Sequence, residues 1–260
     1  MPSDADLLRR AHGGDAAALE DLLSRHEASI YRFGLRMCGN EADAKDVLQE
    51  TLLAAFSHVG EFRGEAALST WLFQVARSFC ARARRGVAAT SPHVGLDAPE
   101  VASLPADTQP ADAHAHAREV AHVLTVAMQA LEPAHREVLV LRDVEGLSAE
   151  EAASVLGIEV GALKSRLHRA RLALKAGLST VLSDAPPGDV CPDLAEDLAA
   201  FAASDIDQAA CARIEAHLET CPACRSACDT LKRTVALCRA LPGGDVPAPI
   251  KAAVRRALRM

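Results

Sequence analysis

The sequence predicts an all-α fold: two helical domains joined by a flexible linker, then a small helical Cys-rich domain. Three observations predict it. The apolar half of the composition leans on Ala and Leu while aromatics make up only 3%, a balance that favours helices over sheets. Apolar residues recur at three- and four-residue spacing on both sides of the chain's middle. Between those blocks lies an acidic, proline-containing stretch with neither periodicity nor an aromatic side chain.

Residues 5–86 form the first block. "AALEDLLSRHEASIYRFGLRMC" and "EADAKDVLQETLLAAFSHV" are helical in pattern, separated by the Gly39-Asn40 break. A third helix, "STWLFQVARSFCARARR", is expected to start at a Ser69-Thr70 cap. Residues 87–117 are the linker, with four prolines, four acids and no Lys or Arg; such composition builds no packed element. Periodicity returns over 118–183, and the Cys-rich block follows over 190–240. Residues 241–260 end in one short basic amphipathic helix, expected to lie solvated on the surface.

The net charge of −7 excludes a uniformly basic nucleic-acid binder, so local charge has to carry any such role. The opening "MPSDADLLRRAHGGD" lacks an apolar core of signal-peptide length. No segment reaches the roughly 18 apolar residues of a membrane span. A cytoplasmic protein with no membrane partner is expected. Thiols stay reduced there, so clustered cysteines point to metal ligands or redox groups rather than structural disulfides. Cys38 and Cys80, alone in apolar helical surroundings, read as core.

Local charge is concentrated in two places. Between Val160 and Ser183 stand Lys164, Arg166, Arg169, Arg171 and Lys175 without one acid. There Leu163, Leu167, Ala170, Leu174 and Leu178 form an apolar stripe, so one face packs and the other is positive. Upstream, Ser148 and Glu151 form a capping box that opens a short helix, and Gly157 fits the turn after it. A short helix, a Gly turn and a basic second helix make a helix-turn-helix sized for the DNA major groove. The second concentration is Arg77, Arg82, Arg84 and Arg85, beside Phe62, Trp71, Phe73 and Phe79. Basic residues beside aromatics suit unstacked single-stranded bases, and equally suit a core with a charged rim.

Two stretches, "FRGEAALSTWLFQVARSFCARARR" and "LEPAHREVLVLRDVEGLSAEEAASVLGIEVGALKSRLHRARLAL", resemble bacterial sigma factors of the extracytoplasmic-function (ECF) group. The first is similar to the promoter-opening domain (region 2) and the second to region 4. "DAKDVLQETLLAAF" resembles the helix that grips the polymerase clamp. The resemblance, over about residues 5–180, implies contacts to core RNA polymerase from Asp43, Asp46, Gln49 and Glu50. It implies capture of a flipped −10 base by the loop opened by Phe62, Arg63 and Gly64, with strand separation by Trp71 and the helix carrying Arg77 and Ser78. Lys164, Ser165, His168 and Arg169 would read the −35 element of promoter DNA, and Arg166 and Arg171 would hold phosphates. Relatives usually carry Asn where Ser78 stands, often an acid near Arg82, and a common Thr where Ala162 stands, so the −10 preference transfers least. The competing reading is a stand-alone helix-turn-helix regulator, which would not need the 43–85 block.

Near the C-terminus, "HLETCPACRSAC" places His217, Cys221 and Cys224 at His-x₃-Cys-x₂-Cys spacing. His217 and Cys221 share a helix face, Cys-x-x-Cys sits on a tight turn, and an upstream cysteine would complete a closed tetrahedral Cys₃His zinc site. Either Cys191 or Cys211 could be that cysteine. The motif resembles the zinc-binding anti-sigma fold, whose pattern favours Cys191 because there the earlier ligand opens the domain. Cys211, Cys228 and Cys238 are surplus to such a site, and soft thiolates also suit Cu(I) or Cd(II). The expected protein is therefore a non-enzymatic sigma factor, with no nucleophile–base pair and no phosphate-cradling loop. It would be regulated by zinc, copper or cadmium through its own Cys-rich domain, with no obligatory separate anti-sigma factor.

Overall fold

A computed structural model of the chain describes residues 2–62, 64, 67–90, 111–178, 191–194, 197–198, 201, 208–241 and 246–258. Every regular element among the described residues is helical. The chain divides into two compact units, Met1–Ala102 with Gly243–Met260, and Ser103–Pro242.

The first unit holds α1 (Asp4–His12), α2 (Ala16–Ser24), α3 (Glu27–Cys38), α4 (Glu41–His58), α5 (Leu68–Thr90) and the C-terminal helix α12 (Ala248–Leu258). Helices α3, α4 and α5 pack on one another. Gly39 closes α3 in the left-handed region at φ 84°, and Asn40 caps α4 by accepting from the Asp43 amide at 2.8 Å; this tight turn folds α4 back along α3. The two helices approach closely at Gly34, where an added Cβ would lie 3.2 Å from the Ala44 Cα. Ile30, Phe33, Leu48, Leu52, Leu72 and Phe73 fill the core, each at most 3% exposed. Each such side chain contributes about 1.5–3 kcal/mol on burial. Phe33 meets the edge of Phe73 at 5.5 Å between centroids.

Two expectations change here. Helix α5 starts at Leu68, so Ser69 and Thr70 lie in its first turn and do not cap it; Leu68 and Thr70 are both buried, which draws that turn onto the core. The C-terminal helix lies on the surface but is packed along one face, with Ala252, Arg255 and Arg256 exposed. It packs on α4, with Val246 at 2% and Ile250 at 8% exposure.

The second unit holds α6 (Ala111–Ala130), α7 (Pro133–Leu139), which runs on as a π-turn over Val140–Val144, α8 (Ala149–Leu156) and α9 (Val160–Gly177). The Cys-rich part adds a 3₁₀ turn at Pro192–Leu194, α10 (Gln208–Thr220) and α11 (Pro222–Arg239). Helices α5 and α6 thus reach into the expected linker from both sides, to Thr90 and from Ala111; the rest of that linker lies outside the described residues. Buried Arg136 closes the end of α6 by donating to the carbonyls of Met128 at 3.0 Å and Leu131 at 3.2 Å, satisfying acceptors that the helix itself leaves open. Helix α11 packs on α10, on α9 and on the π-turn. Of the two lone cysteines, Cys80 is buried and Cys38 half-buried.

Replacing Gly34 with Val should cost about 1–3 kcal/mol, because packed backbone must separate to admit the side chain. Urea unfolding followed by Trp71, the single tryptophan, measures it; an unchanged midpoint would contradict the close approach.

Candidate nucleic-acid interface and metal centre

The helix-turn-helix forms from local signals. Ser148 and Glu151 exchange both bonds of the capping box, at 3.1 and 2.8 Å. Gly157 takes φ 66°, a conformation in which a side chain would be strained. In α9 the stripe Leu163, Leu167, Ala170, Leu174 and Leu178 is buried, which fixes the rotation of the helix. Lys164 and Arg169 are then exposed, and Ser165, Arg166 and His168 half-buried beside them.

Arg171 does not join that face. It is 2% exposed and donates Nε to Asp143 Oδ2 at 2.8 Å and Nη2 to Asp143 Oδ1 at 2.5 Å. Asp143 is itself 1% exposed and sits on the π-turn. The expected phosphate contact is therefore corrected: Arg171 is one step round the helix from Ala170 and one turn from Leu167, on the packed side. A bidentate guanidinium–carboxylate pair so deeply buried orients α9 against the π-turn. Asp143 is the partner that sequence reading missed; its one signal was an acid embedded in the apolar run "VLVLRDV".

In the first unit, Phe62 and Trp71 stack with centroids 5.5 Å apart and rings tilted by 37°, both half-buried. Gly64 beside them takes φ 72°, and Arg63 lies outside the described residues. Phe73 belongs to the core. Arg77 is half-buried, and the exposed Ser78 hydroxyl donates to the Val75 carbonyl of its own helix at 2.7 Å. Arg82 lies over the Phe79 ring at 4.7 Å. On α4, Asp46 and Glu50 are exposed, with Asp43 and Gln49 half-buried, so these four side chains stand on the outer side of the helix.

The cysteine block converges. The Sγ atoms of Cys191, Cys221 and Cys224 and one ring nitrogen of His217 all lie within 4.8 Å of one another. Sulfurs around a tetrahedral zinc, at about 2.3 Å from the ion, stand about 3.8 Å apart, so a small contraction suffices. The His217 Nε2 is buried without a hydrogen-bond partner, as a nitrogen reserved for a metal would be. Leu198, Ile214, Cys224 and Cys228 form a small core, with Leu194, Phe201 and Leu218 packed against it. The backbone amide of Cys224, with its thiol, His217 and Cys191 around it, lowers the Cys221 thiol to about 7. Burial pushes Cys224 up to about 11. The donor set, three thiols and one imidazole with no oxygen ligand, fits zinc.

Cys211 stands apart from this group, with its thiol 3.6 Å from Glu215 Oε1. Cys228 and Cys238 are buried on α11, in one stripe with Leu231 and Val235. Burial raises the Cys228 thiol. Among the described residues, these three surplus cysteines form no second ligand group.

Family models for sigma-70 region 2 and sigma-70 region 4 match residues 22–90 and 122–174, and a zinc-finger model matches residues 191–225. The RNA polymerase sigma-H factor of Pseudomonas aeruginosa is 30% identical over 192 residues, covering 70% of this chain and 97% of its own. The RNA polymerase sigma factor CarQ of Myxococcus xanthus is 36% identical over 163 residues, 62% of this chain and 90% of its own. The ECF RNA polymerase sigma factor SigM of Mycobacterium tuberculosis is 32% identical over 173 residues, 66% of this chain and 83% of its own. The solved structure of CnrH in complex with the cytosolic domain of CnrY aligns at 26% identity with a TM-score of 0.50. That alignment covers 67% of this chain and 96% of CnrH.

The fold, the helix-turn-helix and these matches define a bacterial transcription initiation factor. The chain belongs to the sigma-70 family, as an ECF RNA polymerase sigma factor with a zinc-finger domain after region 4. CnrH was solved with a second chain bound, so the expectation that no separate regulatory chain is required is not retained.

Asp143→Ala should lower stability by about 3–5 kcal/mol, since it leaves the Arg171 charge buried and unpaired. The double replacement Arg171→Met with Asp143→Leu should recover most of that loss. Denaturant unfolding checks both; an Arg171 acting on phosphate would instead weaken DNA binding and leave unfolding unchanged.

Proposed function

We propose that this sigma factor is conditioned by the metal state of its own C-terminal module. The observation that carries the proposal is α11. Cys221 is its N-cap residue and Cys224 lies in its first turn. The same helix packs on α9 and on the π-turn that holds Asp143. Metal at the four donors would fix the start of α11 and so its packing on the DNA-reading domain. Loss of metal would leave three thiols and an imidazole in an apolar pocket with no partner of comparable strength, and α11 would loosen.

Cys191, His217, Cys221 and Cys224 would hold the ion as a closed, non-catalytic centre. Zinc is the resident metal that the donor set favours, with Cu(I) and Cd(II) as thiophilic competitors. Lys164, Ser165, His168 and Arg169 would meet −35 base edges and Arg166 a phosphate. Phe62 and Trp71, with Arg63 and Arg77 nearby in sequence, would take up the opened −10 strand, where base–aromatic stacking is worth about 1–3 kcal/mol per base. Ser78 is turned to its own backbone and would add little there. Asp43, Asp46, Gln49 and Glu50 would contact core polymerase in the cytoplasm.

Binding of the full-length protein to core polymerase, titrated with Zn(II), Cu(I) and Cd(II) against a metal-free control, tests the reading. A response to at least one metal is expected; indifference to all three would reduce the module to a structural clasp. Cys224→Ser should abolish stoichiometric zinc binding. Wild-type zinc affinity should fall as pH is lowered from about 8 to about 6, because each ligand sheds its proton to bind; competition with a chromophoric chelator reads both. Arg166→Ala should weaken binding about uniformly across sequences and reduce the slope of log affinity against log salt by about 1, whereas Lys164→Ala and Arg169→Ala should each weaken promoter binding and relax the −35 preference. Gel-shift titrations check both; an unchanged slope for R166A, or unchanged affinity and sequence preference for K164A and R169A, would remove that side chain from the interface.

A further inference from the structure

Arg225 has no part in the roles above, yet its side chain ties together the two helices that supply three of the four donors. Helix α10 ends at Thr220 and α11 opens at Pro222, so Cys221 alone separates them. His217 lies in the last turn of α10, while Cys221 and Cys224 begin α11. In an α-helix that ran on, the carbonyls of Leu218 and Glu219 would accept from the amides of residues 222 and 223. Residue 222 is a proline without an N–H, and Cys221 is extended at φ −112° and ψ 102°. One side chain meets both carbonyls instead: Arg225 donates Nε to the Leu218 carbonyl at 2.8 Å and Nη2 to the Glu219 carbonyl at 2.7 Å.

We infer that Arg225 is a positioning residue for the metal centre, a guanidinium clasp that holds His217 beside Cys221 and Cys224 before an ion arrives. This rests on the reading of Cys191, His217, Cys221 and Cys224 as the ligands. The His217 carbonyl accepts from the Cys221 amide at 2.9 Å and from the Thr220 hydroxyl at 3.0 Å, which fixes the backbone on the α10 side of the turn. Arg225 follows Cys224 in the chain and adds the tie from the α11 side. Its planar fork suits two neighbouring carbonyls in a way that the point charge of a lysine does not.

Metal affinity depends on that tie. Donors on two helices bind one ion only in the fraction of molecules that hold them together, and apparent affinity scales with that fraction. The core beside the donors consists of Leu198, Ile214, Cys224 and Cys228 among the described residues, so small that the hairpin leans on local ties. Arg225 is exposed, which limits the effect of its two bonds to about tenfold in affinity.

The test is zinc affinity of the full-length protein, measured by competition with a chromophoric chelator, with hydrogen exchange on the metal-free and zinc-bound forms. Arg225→Ala removes the clasp, Arg225→Lys keeps the charge without the fork, and Arg239→Ala removes a charge from the exposed far end of α11. The expected result is zinc binding about tenfold weaker in R225A, a smaller loss in R225K and none in R239A. Amides at the end of α10 and in the first turn of α11 should exchange faster in metal-free R225A than in metal-free wild type, and alike once zinc is bound. Wild-type affinity in R225A overturns the inference. So does weaker binding with unchanged exchange in the metal-free protein, which would make Arg225 a charge effect, or an equal loss in R239A. If R225A loses protection throughout α10 and α11 even with zinc, R225K takes its place and is judged by the same outcomes. Failure of the wild type to bind zinc stoichiometrically would overturn the four-donor reading and the inference with it.

Discussion

Helix α11 is the constraint on which the second unit depends. Its N-cap and first turn carry Cys221 and Cys224, two of the four candidate metal donors, and its buried stripe of Cys228, Leu231, Val235 and Cys238 runs on from them. A helix resists bending because each turn is bonded to the next, so a disturbance at the donors is carried along it to whatever it packs on. Here it packs on α9 and the π-turn, the two elements clamped together by Arg171 and Asp143. The small core around the donors is otherwise modest: Leu198, Ile214, Cys224 and Cys228 are its fully buried members among the described residues. A core of that size would lean on a metal held by those four side chains.

The two units answer different demands with the same device, an amphipathic helix whose buried side fixes its exposed side. In α9 the apolar stripe leaves Lys164 and Arg169 outward. In α4, Ala44, Leu48, Thr51, Leu52 and Ala55 face inward, which leaves Asp46 and Glu50 outward. The net charge of −7 therefore says little about DNA binding. What matters is that acidic and basic faces are segregated, with positive charge on α9 and negative charge on α4.

What was legible in the sequence was what local periodicity and short motifs encode. The α9 stripe, the capping box at Ser148 and the Gly157 turn each depend on residues within a few positions of one another. The His217, Cys221 and Cys224 spacing is equally local. What was not legible depends on partners far away in the chain. Arg171 looked like a phosphate ligand because its residue type is basic, while Asp143, 28 residues upstream, decides its fate. Spacing alone left Cys191 and Cys211 open and only the family pattern favoured Cys191, which the fold brings beside the motif. The seat of α12 on α4 spans most of the chain, and no periodicity reports it. Cys228 and Cys238 share a helical register with Leu231 and Val235, a local signal that places them in the core.

The most direct test of the account is hydrogen exchange on the full-length protein with zinc bound and after chelation. Coupling through α11 predicts faster exchange in α10 and α11 on metal removal, extending to the amides of α9 and the Val140–Val144 turn. Loss of protection confined to the donor turns, with α9 unchanged, would contradict it.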